Sequence, residues 1–273
     1  MPALDITFIG GGNMASALAG GLAAKGFDAR GMKVVELLPE ARARLAGALG
    51  VRCFERPAEA APYGDLVVLA VKPQQMRAAA QAVAPHLRAE LVLSIAAGIR
   101  LADLGRWLNG YARLARCMPN TPALIGAGVT GLYARTGVTP EQRAQAQAVL
   151  EAVGEVIWVD DEALLDPVTA VSGSGPAYVF FFIEQLERAA RELGLEAGAA
   201  RRLAIATFRG SAELAARADE ELATLRERVT SKGGTTERAL ASMRGDRIDE
   251  AIVRAVRAAN ERARELADEL GRE

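Results

Sequence analysis

The stretch DITFIGGGNMASAL, residues 5–18, joins a short apolar run to a glycine-rich turn and an alanine-rich helical pattern. Gly10 and Gly12 follow the run, and Ala15 completes a G-x-G-x-x-A spacing. The glycines allow a tight turn and a close approach of the backbone to a pyrophosphate, and the small third residue lets helix and strand pack closely. The helix N-terminus adds unpaired N–H groups and a positive dipole. In this strand–turn–helix context the pattern predicts a dinucleotide site, with a merely structural turn as the alternative.

An acidic residue ends the second predicted strand. Glu36 follows Ala15 by about 20 residues, the spacing at which an acid binds the adenosine ribose hydroxyls and disfavours a 2′-phosphate. This favours NADH over NADPH. Arg42 and Arg44 lie close enough in sequence to attract a phosphate instead, and Glu36 could equally be a solvated acid at a strand end. The coenzyme choice therefore stays open at this point.

The first 160 residues alternate β-branched runs with alanine-rich helical segments. The predicted strands are 5–10, 32–36, 65–71, 90–96, 112–118, 128–134 and 155–160. The predicted helices between them are 13–26, 39–50, 73–87, 101–109 and 139–154. Strands that are apolar throughout and separated by helices are typical of parallel pairing. The pattern predicts an α/β, Rossmann-type doubly wound sheet over residues 1–162.

After residue 160 the strand pattern stops, and residues 163–273 are predicted to form an all-helical domain. Helical periodicity covers 177–194, 199–217 and 248–271. Gly173 and Gly175 interrupt an apolar helical pattern, and glycine is costly inside a helix. They indicate a kink, a helix junction or a close backbone approach, and cofactor approach and tight helix packing are both open explanations.

Composition excludes several classes of function. The formal net charge is −1 and no basic block occurs, so a nucleic-acid partner is not expected. The most apolar stretch is broken by glycines and a proline, which argues against a membrane span. Two cysteines and the single His86 argue against a disulfide framework, a metal site and a histidine triad. Reduced thiols and a start without a basic signal region predict a cytoplasmic protein.

Three further segments follow predicted strands, at the edge of the sheet where ligands bind in such folds. VKPQ spans residues 71–74 and SIAAG spans residues 94–98. In the first, Pro73 also suits a simple helix start. In the third, MPNTP, two prolines bracket Asn120, and a structural turn is the better explanation from spacing alone.

Taken together, six segments resemble those of pyrroline-5-carboxylate reductases in order and spacing: FIGGGNMASAL, VKPQ, SIAAG, MPNTP, SGSGPAY and VTSKGGTT. The resemblance spans about residues 5–270. It implies NADPH- or NADH-dependent reduction of 1-pyrroline-5-carboxylate to L-proline, the last step of proline biosynthesis. It also implies a helical C-terminal domain that binds substrate and dimerises, with interleaved helices in a homodimer and further assembly into a decamer of five dimers.

The resemblance assigns the substrate carboxylate to the loop of residues 229–240, VTSKGGTTERAL. The implied substrate-binding residues are Ser231, Gly233, Gly234, Thr235 and Thr236. Glycines free the backbone N–H groups to converge, and the helix that begins near Thr236 adds its dipole, although a threonine here could also be an N-cap. Lys232 stands where many family members have proline. The Thr236 hydroxyl is the implied catalytic group, which orients the ring nitrogen and could donate a proton.

The predicted cofactor contacts are Gly10, Gly12, Asn13, Met14, Ala15, Glu36, Ala70, Val71, Lys72, Pro73, Ala96, Ala97, Gly98 and Asn120. Two other functions compete with the reductase. A 3-hydroxyacid dehydrogenase would place a catalytic lysine on a helix of the second domain, but the only lysine after residue 160 is Lys232, in the glycine loop. A non-catalytic dinucleotide sensor is disfavoured because the substrate loop is intact.

Overall fold

A single sheet of eight strands organises the first part of the chain. The computed structural model describes residues 4–272. Residues 1–3, which belong to the start that was predicted to lack a signal region, and residue 273 lie outside the described residues. The strands are β1 (Ile6–Ile9), β2 (Met32–Val35), β3 (Arg52–Phe54), β4 (Leu66–Leu69), β5 (Leu91–Ser94), β6 (Leu114–Met118), β7 (Gly128–Ala134) and β8 (Gly154–Trp158). Their order across the sheet is β3-β2-β1-β4-β5-β6-β7-β8.

The predicted doubly wound sheet is confirmed, and β1 is its central element. β1 pairs in parallel with β2 on one side and with β4 on the other. Its side chains alternate between two apolar clusters, with Ile6 and Phe8 in one and Ile9 in the other. Since successive strand residues face opposite sides of a sheet, this alternation covers both faces of β1. A strand buried on both faces explains why three of the four residues of β1 are large and apolar.

Two features of the sheet differ from the sequence analysis. The edge strand β3 was not predicted, because it is short and carries only exposed or half-buried side chains. β7 runs antiparallel to β6, whereas every other neighbouring pair is parallel. The connection between these two strands, residues 119–127, contains one short 3₁₀ turn, Thr121–Ile125. It is too short for the crossover that a parallel pair requires, which takes about a dozen residues or more.

The helices alternate with the strands and then continue alone. They are α1 (Asn13–Ala24), α2 (Pro39–Leu49), α3 (Pro57–Ala60), α4 (Met76–Val83), α5 (Leu101–Trp107), α6 (Pro140–Leu150), α7 (Leu165–Val168), α8 (Gly175–Glu192), α9 (Ala197–Arg217), α10 (Leu222–Arg228), α11 (Thr235–Gly245) and α12 (Ile248–Arg272). Beyond Trp158 the described residues contain no strand, as predicted. Within the same residues, none of the helices combines the length and the apolar character that crossing a bilayer requires.

The chain folds into two compact units. The first runs up to Ser174 and includes the residues from Ala259 onward, and the second is Gly175–Ala258. The sequence analysis places a boundary after residue 162, between a dinucleotide-binding domain and a domain for substrate binding and dimerisation. That functional division stays a prediction. In the first unit, the end of α12 packs on α5 and the loop before it. Arg100 forms a 2.6 Å ion pair with Asp268 there.

The glycine-interrupted segment before α8 forms a helix junction, one of the three predicted possibilities. Residues Thr169–Gly173 form a π-helical turn, and α8 starts at Gly175. A Cβ on Gly173 would lie 2.7 Å from Cε of Met118. Gly173 therefore packs closely against the end of the Met118 side chain on β6, and the boundary between the two units falls one residue later, after Ser174.

Two adjacent glycines of α1 should respond oppositely to substitution by alanine. A Cβ on Gly21 would lie 2.6 Å from the Ala152 carbonyl oxygen, whereas the nearest atom to a Cβ on Gly20 is 3.7 Å away. We expect Gly21→Ala to lower the free energy of unfolding by about 1–3 kcal/mol through overpacking. Gly20→Ala should raise it by up to about 1 kcal/mol through helix propensity.

Urea unfolding of both variants at one protein concentration checks this expectation. Equal effects of the two substitutions would show that α1 does not pack on the Ala152 carbonyl as described.

Candidate functional site

The carboxyl ends of β1, β2 and β4 meet at one edge of the sheet. The N–H of Gly10 donates to the Val35 carbonyl at 2.8 Å, and the N–H of Ala70 donates to the Ile9 carbonyl at 2.8 Å. Gly10 has a φ of +101°, and a Cβ there would lie 2.7 Å from the Ala70 carbonyl oxygen. The glycine at position 10 is thus required by the neighbouring strand of the protein itself.

Gly12 needs a different explanation. Its φ of −70° suits any residue, and a Cβ there would meet nothing within 4 Å. Gly12 is exposed and is the N-cap of α1, whose first turn receives no hydrogen bond from a side-chain cap. The open backbone and the free helix start fit the pyrophosphate of a dinucleotide, which needs close approach and N–H donors. The residues at this edge therefore suit the predicted cofactor.

Glu36 lies directly beside this glycine loop. One carboxylate oxygen accepts the Gly11 N–H at 3.0 Å, and the other accepts the Leu38 N–H at 3.0 Å. Two main-chain donors therefore fix the carboxylate at the end of β2. Gly11 was not among the predicted cofactor contacts. A Cβ on it would lie 2.6 Å from Cδ1 of Leu45. The triple glycine in the sequence was the signal for this position.

Arg42 is held by the protein rather than left free. Its Nη1 donates to the carbonyl oxygens of Glu36 and Leu37 at 2.7 and 2.8 Å. Its Nη2 lies 3.2 Å from a carboxylate oxygen of Glu55. Arg44, in contrast, is exposed on α2. Of the two arginines that could attract a phosphate, Arg42 already has a carboxylate partner.

The segments VKPQ and SIAAG, which follow β4 and β5 at the same edge of the sheet, contain both exposed and buried residues. Lys72 is exposed and precedes a 3₁₀ turn that begins at Pro73, and a contact of this pair with the cofactor stays a prediction. Ala96 and Gly98 are buried and Ala97 is half-buried. Gly98 has a φ of +74°, and a Cβ there would lie 2.9 Å from Cδ1 of Leu270. The positive φ thus gives Gly98 a backbone reason for glycine that does not involve a ligand.

Asn120 connects two elements through its side chain. Its Oδ1 accepts the Val129 N–H at 3.0 Å, and its Nδ2 donates to the Ser172 carbonyl at 3.2 Å. The amide therefore joins β7 to the π-helical turn, in line with the structural turn favoured from spacing. A contact between Asn120 and the cofactor stays a prediction.

Arg116 forms a buried ion cluster that the sequence analysis did not identify. Its side chain is 3% exposed and lies 3.2 Å from Glu162 and 4.0 Å from Asp166. The same oxygen of Glu162 accepts the Leu101 N–H at 2.7 Å, at the first residue of α5. The cluster therefore ties β6 to the segment that follows Gly98. An arginine inside the apolar strand LARCM was the available signal, since a buried charge needs a partner.

The second candidate site is the glycine loop before α11, in the second unit. The Gly234 N–H donates to the Ser231 carbonyl at 3.0 Å, and a Cβ on Gly234 would lie 2.4 Å from the Ser231 hydroxyl oxygen. Gly234 is the N-cap of α11, and no side chain caps this helix start. α11 begins at Thr235, one residue from the predicted start.

The N–H groups of the two loop glycines were expected to be free for a ligand, but both are hydrogen-bonded within the protein. The Gly233 N–H donates to a carboxylate oxygen of Glu237 at 2.7 Å, and the Gly234 N–H is used by Ser231. The N–H groups of Thr235 and Thr236 lie in the first turn of α11, where a helix offers no acceptor of its own. Any anion held by this loop would therefore meet those two amides first.

Comparisons with known proteins cover nearly the whole chain. A family model described as pyrroline-5-carboxylate reductase dimerisation matches residues 162–266, and one described as NADP oxidoreductase, coenzyme F420-dependent, matches residues 5–98. A pyrroline-5-carboxylate reductase of Pseudomonas aeruginosa is 47% identical, with 97% of this chain and 98% of that protein covered.

Solved structures give the same relationship. A pyrroline-5-carboxylate reductase from Coxiella burnetii has a TM-score of 0.93 and 38% identity, covering 97% of this chain and 99% of that one. A Plasmodium falciparum pyrroline carboxylate reductase with NADP bound has a TM-score of 0.87 and 27% identity, covering 98% and 99%. The first part of the chain is an NAD(P)-dependent oxidoreductase domain, and the second part is a dimerisation domain.

Gly12→Ala should separate folding from cofactor binding. Since the added methyl meets no protein atom within 4 Å, we expect the free energy of unfolding to fall by no more than about 1 kcal/mol, the cost of alanine in place of glycine at an N-cap. The affinity for NADH and NADPH should fall at least about tenfold, because the methyl occupies the approach to the backbone.

Gly47→Ala on α2 is the matched control, since its Cβ also meets nothing within 4 Å. Titration of nicotinamide fluorescence gives both affinities. If Gly12→Ala bound the dinucleotides as tightly as Gly47→Ala, the pyrophosphate would not lie against this loop.

Proposed function

The chain belongs to the pyrroline-5-carboxylate reductase family, and we propose that it reduces 1-pyrroline-5-carboxylate to L-proline with a reduced nicotinamide dinucleotide. The proposal rests above all on the 47% identity that extends over 97% of the chain. It would make this enzyme the last step of proline biosynthesis, working in the cytoplasm without a nucleic-acid or membrane partner.

The open start of α1 and the glycine loop before α11 take separate parts of this reaction. When bound, the dinucleotide supplies the hydride. Gly12 and the first turn of α1 would hold its pyrophosphate, with Ala70–Pro73, Ala96–Gly98 and Asn120 as further proposed contacts. A cyclic imine accepts a proton from water before reaction, so its carbon is already electrophilic and the protein has mainly to position it. This explains why no conspicuous general acid accompanies the site.

The glycine loop would bind the substrate through its carboxylate. Main-chain N–H groups of Thr235 and Thr236, with the positive end of the α11 dipole, suit an anion. Ser231, Gly233 and Gly234 complete the proposed contact set. The Thr236 hydroxyl lies in the same helical turn and would orient the ring nitrogen. A capping role for these threonines is compatible with this function.

We further propose that NADH is the preferred coenzyme. The Glu36 carboxylate is held beside the glycine loop by the Gly11 and Leu38 amides, so it cannot easily turn away from a ribose at this position. It would accept the 2′-hydroxyl of NADH and repel the 2′-phosphate of NADPH. Arg42, which could offset that repulsion, is already paired with Glu55.

The dimerisation domain makes the protein an oligomer, and we propose a homodimer with interleaved C-terminal helices that assembles into a decamer of five dimers. Large apolar side chains support this assembly. On α8, Phe180 and Phe181 are 65% and 57% exposed in the single chain. Exposed aromatic residues of this size are characteristic of surfaces that become buried in a complex.

The imine reduction is tested by following nicotinamide absorbance with 1-pyrroline-5-carboxylate, in parallel with NADH and NADPH. We expect turnover with both and a higher kcat/KM for NADH. Glu36→Gln should lower the NADH-to-NADPH ratio of kcat/KM at least about fivefold, because it removes the repelling charge.

No turnover with either dinucleotide would refute the reductase function, and dinucleotide binding without turnover would favour the sensor. A ratio unchanged in Glu36→Gln would show that Glu36 does not choose the coenzyme.

Thr236→Ala should lower kcat/KM for the imine at least about tenfold, or roughly 1.4 kcal/mol, because the ring nitrogen loses its orienting hydroxyl. Thr236→Ser keeps the hydroxyl and should retain most of the activity. Steady-state kinetics of both variants decide the matter. Unchanged kinetics in Thr236→Ala would remove this residue from the mechanism.

A further inference from the structure

The glycine loop already holds a carboxylate, and that carboxylate belongs to the protein. Glu237, the third residue of α11, accepts the Gly233 N–H at 2.7 Å. This is the length of a charge-assisted hydrogen bond, which is stronger than one between neutral groups. Gly233 has a φ of +74° and is exposed, and a Cβ on it would meet nothing within 4 Å. Its amide is therefore engaged by Glu237 in a turn that is otherwise open.

The same amide belongs to the proposed contact set for the substrate carboxylate. One N–H cannot make a short linear bond to two carboxylates, and two like charges this close repel each other. An incoming imino acid that uses the Gly233 N–H therefore has to displace Glu237. The Thr235 and Thr236 amides are not affected by this contact.

A place for the displaced side chain lies next to the loop. Glu237 lines a cavity of about 280 Å³, together with residues of α10, α11 and the turn between them: Arg226, Glu227, Thr230, Leu240 and Arg244. Two of these residues, Arg226 and Arg244, carry guanidinium groups. A carboxylate that leaves the loop amide can thus turn toward positive charge without leaving α11.

We propose that the Glu237 carboxylate competes with the substrate carboxylate for the Gly233 amide and thereby raises KM for the imine. The inference rests on the proposed reductase function and extends it to a residue outside the predicted site. Displacement precedes hydride transfer, so the competition acts on substrate binding and leaves the chemical step unchanged. The product carries the same carboxylate, so proline has to displace Glu237 as well.

Two substitutions of Glu237 test the competition. Glu237→Gln removes the charge but keeps a side chain that can accept from Gly233, and Glu237→Ala removes both. We expect KM for 1-pyrroline-5-carboxylate to fall about fivefold in Glu237→Ala and by a smaller factor in Glu237→Gln, with kcat within about twofold of wild type in both. The inhibition constant of L-proline should fall by the same factor, while KM for the dinucleotide should not change.

Glu227→Gln is the matched control, because it removes the same charge from the same cavity without touching the loop amide. Its KM should stay at the wild-type value. A KM for the imine that is unchanged or higher in Glu237→Ala would overturn the proposal and make Glu237 a brace of the loop. An equal fall in Glu227→Gln would also overturn it, since the effect would then be general charge. Absence of turnover in the wild type would instead refute the reductase function itself.

Discussion

The parallel pairing of β1 with both β2 and β4 is the constraint on which the nucleotide site depends. The chain moves outward to β2 and β3 on one side of β1 and then returns to begin β4 on the other. At such a reversal the connections leave in opposite directions, and a crevice opens outside the carboxyl ends of the strands. The loop after β1 lies in this crevice. Ala70, which directly follows β4, restricts position 10 to glycine. A shift in register of either pair would move the loop relative to the carboxyl ends of β2 and β4.

Both candidate sites follow one physical pattern, in which glycine rather than a capping side chain precedes a helix. Gly12 and Gly234 are the N-caps of α1 and α11, and neither helix start receives a side-chain cap bond. By contrast, the Thr139 hydroxyl accepts the Gln142 N–H at the start of α6. A capped start has part of its donor set already used, whereas an uncapped one keeps it for a ligand. At α1 and α11 a glycine N-cap therefore leaves the first-turn N–H groups without a side-chain cap, which is one condition that an anion site at a helix start requires.

The sequence alone was sufficient for the parts of the molecule that repeat a strong local pattern. The apolar runs, their order and the glycine loop after β1 led directly to the doubly wound sheet, since such strands must be buried on both faces. β3 was not predicted, because an edge strand with exposed and half-buried side chains forms no apolar run in the sequence. The orientation of β7 depended on the length of a connection, not on its own residues. The bonds of Glu36, Arg116 and Glu237 could not be predicted, because each side chain meets a partner whose identity only the folded chain decides.

The glycines show how a structural requirement can be separated from a functional one. Gly10 and Gly234 are each explained by a nearby protein atom that a Cβ would strike, so glycine is needed there even without a ligand. Gly12 and Gly233 meet no such atom, although the positive φ of Gly233 still favours glycine there. The Gly233 amide is bound to Glu237, while Gly12 caps a helix start that no side chain enters. An anion at the start of α1 meets N–H groups that no side chain caps, whereas one that uses the Gly233 amide has to displace a charge of the protein itself.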